Sequence, residues 1–328
     1  MPSLLSRVLD TGLDATILAS FDASGFRRHA AGFDPAELDV DLRDTHVLIT
    51  GGNGGLGMAT ARGLLHRGAT VHLACRRAGS AAEAAATLEQ EGLPGTVHGL
   101  HLDLETHARI DAAVPTLPPR VDVLIHNAGI LPAERTLTED GLEQTLAVNL
   151  VGPHRLTWLL RDALSRSVAP RVILVSSGGM YLQRLDVGAL DNLGGRHDGP
   201  TAYARTKRAQ VTLARLLQER LGPRAWVASM HPGWADTGGV QRQLPTFHRV
   251  MHARLRTPEQ GADTTVWMAA RQPAPEPAGG FFFDRAPRDP SRMPGTRDRD
   301  GEPERLWAAV CAWAGVPESG WMLPEAPV

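Results

Sequence analysis

Lysine is almost missing from this chain of 328 residues, which has one lysine, Lys207, and 33 arginines. Tyrosine and cysteine are nearly as rare, with two of each, and neither Cys75 nor Cys311 belongs to a Cys-x-x-Cys pair. We therefore expect no disulfide framework and no metal site. The formal net charge of -2 also lacks the basic excess that is typical of a nucleic-acid-binding protein.

A long apolar run is missing as well. The first 20 residues, "MPSLLSRVLDTGLDATILAS", are mildly apolar, but Arg7, Asp10 and Asp14 interrupt them. This stretch is too polar for a signal peptide or a membrane span. We interpret it as an amphipathic helix packed on the domain, with a helix on a membrane surface as the alternative. The expected location is cytoplasmic.

The chain does contain a series of short segments rich in Val, Ile and Leu, separated by helix-like segments. The predicted strands are 46–50, 70–75, 97–102, 121–126, 171–176, 225–230 and 279–283. Alternating strands and helices indicate a parallel sheet covered on both faces, and the near-continuous apolar strands agree with that burial. The predicted fold class is α/β, a Rossmann-type doubly wound parallel sheet of seven strands with helices on both faces, in a single domain.

A burst of glycines, Thr50-Gly51-Gly52-Asn53-Gly54-Gly55-Leu56-Gly57, follows the first strand. In doubly wound folds this turn holds the phosphates of a dinucleotide, because glycines let the backbone approach them and the next helix supplies N–H donors. The run fits three glycine spacings at once, so its position carries more weight than its exact pattern. No Lys-Ser or Lys-Thr follows, which excludes a nucleoside triphosphate P-loop.

The end of the second strand indicates which dinucleotide binds. An acidic residue there would accept the ribose hydroxyls of NAD, but Arg76 and Arg77 occupy this place, and no Asp or Glu occurs between Gly57 and Glu83. Guanidinium groups suit a 2′-phosphate. We therefore expect NADP(H) as the cofactor, the alternative being that both arginines are ordinary surface residues.

The single lysine lies four residues after a tyrosine, in "YARTK", at the start of a helix-like segment. Residues at i and i+4 share a helix face, so Tyr203 and Lys207 are expected side by side. A phenol normally titrates at about 10, and a nearby ammonium lowers this pKa by favouring the phenolate. Tyr203 would then act as an acid/base near neutral pH. Tyr181 has Leu185, not lysine, four residues later and cannot replace it.

The order of these motifs resembles the short-chain dehydrogenase/reductase family: the glycine turn, "HNAG" after the fourth strand, Asn149 in "LAVNL", "VSS" after the fifth, then Tyr-x-x-x-Lys. The segments "TGGNGGLG" and "HPGWADTGGV" resemble one branch of it in particular. The resemblance divides the chain into an N-terminal helical extension (1–44), an NADP-binding catalytic domain (45–285) and a C-terminal loop and helix packed on it (286–328).

The resemblance implies a role for each matching residue. Tyr203 would be the catalytic acid/base, and Lys207 would hold the nicotinamide ribose and lower the pKa of Tyr203. Ser177 would hydrogen-bond the substrate carbonyl, and Asn149 would bind a water that links the lysine to solvent. The further cofactor contacts that it implies are Asp103 and Leu104 at the adenine, Asn127, Ala128 and Gly129 along the ribose, and Pro232, Gly233 and Thr237 near the nicotinamide.

This chain departs from the family pattern in two places. His126 replaces the commoner first Asn of "NNAG", which we interpret as a structural variation. The interval from Ser177 to Tyr203 is about twice the usual one, so the additional residues in 178–200 are expected to lie beside the active site and shape the substrate pocket. Ser176 stays open as the alternative catalytic serine.

These residues predict an oxidoreductase that interconverts a carbonyl and an alcohol by hydride transfer with NADP(H). Two alternatives stay open: an extended-branch epimerase or dehydratase with tightly bound NAD, and a non-catalytic NADP-binding sensor. Apolar residues after Thr237 favour a hydrophobic small-molecule substrate, such as a lipid or retinoid-like carbonyl. The resemblance also allows a homo-oligomer.

Aromatic residues outside these motifs have both a functional and a structural interpretation. His231 and Trp234 either wall the nicotinamide site or pack its loop. "GGFFFD" predicts a buried seventh strand rather than a substrate-facing edge. Trp307, Trp313 and Trp321 are expected to pack against the domain, with a pocket cover or a subunit interface as alternatives.

Overall fold

A computed structural model describes residues 20–191, 194 and 197–325 of the chain. The helix predicted for the first 20 residues falls outside these ranges except at Ser20, and so do four positions of the 178–200 segment. Within the described ranges, no helix combines the length and apolar character needed to cross a membrane.

One sheet of eight strands, in the order β3-β2-β1-β4-β5-β6-β7-β8, forms the centre of the described structure. The strands are β1 (His46–Thr50), β2 (Thr70–Cys75), β3 (Thr96–His101), β4 (Val123–His126), β5 (Arg171–Val175), β6 (Trp226–Met230), β7 (Phe281–Phe283) and β8 (Ala286–Pro287). Neighbours from β3 to β7 are parallel, and β8 pairs antiparallel with β7. The doubly wound α/β prediction is therefore confirmed.

The predicted strand number of seven is wrong, because β8 was not foreseen. Each of the seven predicted strands is present. The eighth has two residues and follows a tight turn at Asp284 and Arg285, whose φ angles are 47° and 55°. A two-residue strand shows no periodicity, and positive φ at non-glycine residues is uncommon, so neither feature is visible in the sequence.

Helices cover both faces of the sheet. They are α1 (Ala23–Ala30), α2 (Gly55–Leu65), α3 (Ala78–Gln90), α4 (His107–Ala113), α5 (Gln144–Leu146), α6 (Gly152–Leu159), α7 (Arg161–Ser165), α8 (Gly199–Leu221), α9 (Gly238–Gln243), α10 (Pro245–Met251), α11 (Pro258–Ala270) and α12 (Glu302–Ala314). Successive residues of β1 enter two different cores: Val47 and Ile49 pack with α2, α3 and α11, and Leu48 packs with α6, α8 and α12. This burial on both sides explains the continuous apolar strands.

The N-terminal segment is attached to the domain through a buried arginine. Arg256 forms an ion pair with Asp284 in which the two side chains are 1% and 2% exposed. The same guanidinium donates to the carbonyl oxygens of Ser20 at 2.8 Å and Asp22 at 3.2 Å. The Asp22 side chain caps α1. Polar contacts thus join the segment before β1 to Arg256, which comes more than 200 residues later in the chain. The sequence of the segment does not reveal these contacts.

The C-terminal tail packs against helix α6. Trp307 of α12 and Trp321 are each 2% exposed, and their ring centres are 5.0 Å apart. Trp321 also contacts Trp158, and His154 contacts both buried tryptophans. Trp307 and Trp321 pack in the core and Trp313 lies partly buried against it, as we expected for the three tryptophans of the tail.

Candidate active site

The predicted site residues meet at the carboxyl ends of the strands. The glycine turn follows β1, Asn127 follows β4, Ser177 follows β5 and Pro232 follows β6. The strand order reverses between β1 and β4, because β2 and β3 lie on one side of β1 and β4 lies on the other. Ligands of doubly wound sheets bind in the crevice at such a switch point.

The glycine turn is closed on its protein side and open on the other. A Cβ at Gly51, where φ is +69°, would lie 2.9 Å from the Cα of Ala128. A Cβ at Gly57 would lie 2.4 Å from the carbonyl oxygen of Gly51. At Gly54, in contrast, an added Cβ would meet no atom within 4 Å. The turn therefore forms a cradle of bare backbone that fits the phosphates of a dinucleotide.

Asn127 holds this turn in place. Its Nδ2 donates to the carbonyl oxygens of Thr50 and Gly51, each at 3.0 Å. The backbone N–H groups of Asn127 and Ala128 donate to the Thr50 hydroxyl, each at 3.1 Å. The side-chain amide of Asn127 is thus committed to the turn, whereas the resemblance implied a place along the ribose.

The predicted adenine end lies beyond β2 and β3. Arg76 and Arg77 are exposed, and Arg77 is the N-cap residue of α3. The carboxylate of Asp103 accepts a hydrogen bond from Arg109 at 2.9 Å, and Leu104 is buried. Two exposed guanidinium groups at the end of β2 leave this part of the crevice able to hold a phosphate group.

The other end of the crevice approaches the turn again. The side chain of Thr237 lies beside Gly55, where an added Cβ would come within 3.1 Å of the threonine Cβ. Asn53 and Gly129 are exposed, and Leu56 is partly buried, near Gly261. The loop after β6 therefore reaches the glycine turn after β1 through Thr237.

The side chain of Ser177 lies next to the hydroxyl of Tyr203. Tyr203 is half-buried. Desolvation of its hydroxyl raises the pKa above the ordinary value, and the hydrogen bond with Ser177 lowers it by a smaller amount. Ser176 is buried, and its hydroxyl donates to the carbonyl oxygen of Lys207 at 2.7 Å. This geometry favours Ser177 over Ser176 as the serine that faces a substrate.

Lys207 lies beside Tyr203, with its Nζ 5.5 Å from the centre of the tyrosine ring. The ammonium donates to the carbonyl oxygen of Val175 at 2.8 Å and to Oε1 of Gln210 at 3.1 Å. Burial lowers the pKa of Lys207 to about 7. The predicted lowering of the Tyr203 pKa is wrong in this structure, because desolvation outweighs the hydrogen bond and the ammonium is held by other acceptors.

Asn149 lies in a π-helical stretch, Ala147–Val151, between α5 and α6. Its side chain accepts from the N–H of Ile130 at 2.8 Å and donates to Thr206 at 3.2 Å. The backbone carbonyl oxygen of Asn149 accepts from Nε2 of Gln210 at 2.5 Å. A side chain thus spans the interval between Asn149 and Lys207 for which the resemblance implied a water.

Gln210 is the residue of this group that sequence reasoning missed. A signal existed, because Tyr203, Lys207 and Gln210 lie at i, i+4 and i+7 of one helix and therefore share a face. A glutamine in a helix is nevertheless common, and its burial becomes visible only in the folded chain.

The loop after β6 is shaped by packing. Gly233 has a φ of +72°, and a Cβ there would lie 2.5 Å from Nε of Arg256. His231 is buried and stacks on Phe283 with ring centres 4.0 Å apart. Trp234 contacts Phe247 of α10 at 5.4 Å. The structural interpretation therefore holds for His231, while Trp234 joins the loop to the helices that follow Thr237.

The segment after Ser177 starts beside the site and then turns into the core. Gly178–Leu182 forms a 3-10 helix capped by Ser177, and Met180 and Tyr181 within it are buried. Burial raises the pKa of Tyr181 to about 12. Tyr181 packs against Phe21 and His231, so it is a core residue at the edge of the site.

A cradle of bare backbone and a neighbouring serine, tyrosine and lysine, at the switch point of a doubly wound sheet, are typical of a dinucleotide-dependent oxidoreductase. The sequence model of a family described as "short chain dehydrogenase" matches residues 45–246. The chain belongs to the short-chain dehydrogenase/reductase family, whose members use NAD(P)(H).

The relatives agree with this assignment. Dehydrogenase/reductase SDR family member 12 of Homo sapiens is 40% identical over 273 residues, which is 82% of this chain and 86% of that protein. The resemblance of "TGGNGGLG" and "HPGWADTGGV" to that branch is thereby confirmed. Retinol dehydrogenase 14 of Mus musculus is 34% identical over 279 residues, 79% of this chain and 82% of that protein.

A solved structure is also similar. The crystal structure of an uncharacterised protein from Mycobacterium paratuberculosis has a TM-score of 0.65 and 27% sequence identity. It covers 88% of this chain and 98% of its own.

Proposed function

We propose that this chain interconverts a carbonyl and an alcohol with NADP(H), using Tyr203 as the acid/base. The observation that carries the proposal is the group formed by Ser177, Tyr203 and Lys207 beside the open glycine turn. When bound in this crevice, the dinucleotide supplies or accepts the hydride. The chain's own residues bind the substrate oxygen and move the proton.

Ser177 and Tyr203 hold the substrate oxygen. Two neighbouring hydroxyl groups can both donate to one carbonyl oxygen, on which negative charge develops during reduction. A tyrosine with a raised pKa stays protonated at neutral pH, which is the state required for proton donation to that oxygen. In the reverse direction, the same phenolate oxygen accepts the proton of the alcohol.

Lys207 supports the proton transfer through its position beside Tyr203. An ammonium has three N–H donors, and Val175 and Gln210 accept two of them. The third remains for a ribose hydroxyl of the dinucleotide. Gly129 leaves space for this, since a Cβ there would lie 3.3 Å from the lysine Nζ.

Replacing Tyr203 with phenylalanine tests the mechanism. Loss of the hydroxyl should lower kcat by about 10²–10⁴-fold, while the dissociation constant for NADPH, measured by fluorescence titration, stays close to that of the wild type. Tyr181→Phe is the matched control, because it removes the other tyrosine hydroxyl and should keep turnover. Undiminished turnover in Tyr203→Phe would exclude this tyrosine as the acid/base.

The preference for NADP(H) depends on Arg76 and Arg77 in this proposal. Arg76→Asp should raise KM for NADPH and lower it for NADH, because a carboxylate repels a 2′-phosphate and accepts ribose hydroxyls. Arg27→Asp makes the same charge change at an exposed position of α1 and serves as the control. An unchanged ratio of the two KM values would contradict the assignment.

A hydrophobic carbonyl compound is the proposed substrate class. The similar Mus musculus protein is named for retinol. Trp234 in the predicted nicotinamide loop and Phe247 in the helix that follows contribute neighbouring aromatic side chains. Absorbance of NADPH during a screen of aldehydes and ketones measures this directly. If NADPH were oxidised only with polar aldehydes and ketones, the proposed hydrophobic substrate class would be refuted. The cytoplasmic location and the homo-oligomer stay predictions.

A further inference from the structure

We propose that Gln210 is a positioning residue for Lys207, holding the ammonium at a fixed place between Val175 and Asn149. This inference rests on the proposed function of the site. It concerns a residue outside the serine, tyrosine, lysine and asparagine that the family resemblance implies.

Gln210 uses both ends of its amide inside the site. It is fully buried, at 0% exposure. Its Oε1 accepts from Nζ of Lys207 at 3.1 Å, and its Nε2 donates to the backbone carbonyl oxygen of Asn149 at 2.5 Å. Helix α8 carries Gln210 and Lys207, and the π-helical stretch carries Asn149, so the amide links the lysine to Asn149 across two elements.

The choice of a neutral amide has a chemical consequence. In the described part of the chain, no carboxylate contributes to the charge state of Lys207, and Tyr203 is the titratable side chain that faces it. Gln210 and Val175 therefore supply the acceptors that compensate a buried ammonium. Burial lowers the pKa of Lys207 to about 7, and an amide acceptor offsets this lowering less than a carboxylate would.

The Gln210 amide links Lys207 to Asn149 where the family resemblance implied a water. A water can relay a proton because its oxygen accepts one proton while it donates another, whereas an amide cannot do so without changing its bonding. Gln210 therefore fixes the geometry of Lys207 and does not relay protons. A residue that acts in this way should shift the lysine's titration when its acceptor is changed, even with the dinucleotide and substrate left out.

The single lysine of the chain makes this measurable. Protein labelled with ¹³C- and ¹⁵N-lysine gives one side-chain signal, whose shift against pH reports the pKa of Lys207. Gln210→Leu keeps the approximate volume but removes the acceptor, and should lower this pKa by about one unit. Gln210→Glu keeps the shape and adds a negative charge, and should raise it by about one unit or more.

The same two substitutions at Gln90, an exposed residue of α3, serve as controls and should leave the signal unchanged. Opposite shifts at Gln210 separate positioning from a general disturbance of the fold, which would move both variants alike. If Gln210→Leu does not fold, the direction of the Gln210→Glu shift decides. A Lys207 pKa that is unchanged, or shifted in the same direction, in the folded variants overturns the inference.

Kinetics then connect the position to the reaction. The pH at which kcat is half-maximal should move in the same direction as the Lys207 pKa in each variant. Because the titration needs neither cofactor nor substrate, its result is independent of the Tyr203→Phe experiment. Retained turnover in Tyr203→Phe would therefore refute the proposed function without affecting the Gln210 measurement, and the reverse also holds.

Discussion

Replacing Gly57 with alanine tests the physical basis of the glycine turn. The added Cβ would lie 2.4 Å from the carbonyl oxygen of Gly51 and 2.6 Å from Nδ2 of Asn127. Neither atom can move freely, because Nδ2 already donates to that oxygen at 3.0 Å. Overpacking of this kind costs about 1–3 kcal/mol, and the better helix propensity of alanine offsets up to about 1 kcal/mol. We expect a net destabilisation of about 1–2 kcal/mol.

Urea unfolding measures the free energy, and fluorescence titration measures the affinity for NADPH, which should fall as the turn changes shape. Gly54→Ala is the matched control, because its backbone is extended, with φ 172°, and no atom lies within 4 Å of the added Cβ. Its stability should stay that of the wild type, and any loss of NADPH affinity would report a direct obstruction. A Gly57→Ala variant with wild-type stability and affinity would refute this reasoning.

Two further predictions concern buried charge. Arg256→Met leaves the buried Asp284 with His29 as its remaining ionisable partner in the described residues. It should destabilise the protein by about 3 kcal/mol in urea unfolding, the low end of the range for a broken buried ion pair. Arg43→Met, at an exposed pair, should cost no more than about 1 kcal/mol, and equal losses would contradict the argument. Burial lowers the pKa of His126 to about 3, so the unfolded chain binds an additional proton between pH 6.5 and 3, and stability present above pH 6.5 is lost as the pH falls. His126→Asn should flatten this acid loss in unfolding curves measured across that range, and an unchanged slope would show that His126 does not contribute.

The strands could be predicted because they are local features. A run such as "VILV" in β5 is apolar throughout since both faces of the strand are covered, and that pattern needs no knowledge of the partner strands. The glycine turn and the pairing of Tyr203 with Lys207 are local in the same sense. Each depends on residues that lie within one turn or one helix.

Other features depend on which distant segments meet. Strand β8 forms because the chain reverses at Asp284, a residue that Arg256 holds from another part of the sequence. The amide of Asn127 is committed to a turn about 76 positions earlier in the chain. No spacing rule relates such residues, so their partners become known only from the folded structure.

The sequence by itself determined the order of the first seven strands along the chain, the glycine turn and the residue types that we propose transfer the proton. The tertiary structure decided their charge states and supports: desolvation raises the Tyr203 pKa, and Gln210 reaches Lys207 and Asn149 together. The reason is physical, because a backbone pattern reflects neighbours along the chain, whereas burial and hydrogen-bond supply are sums over everything that packs around a group.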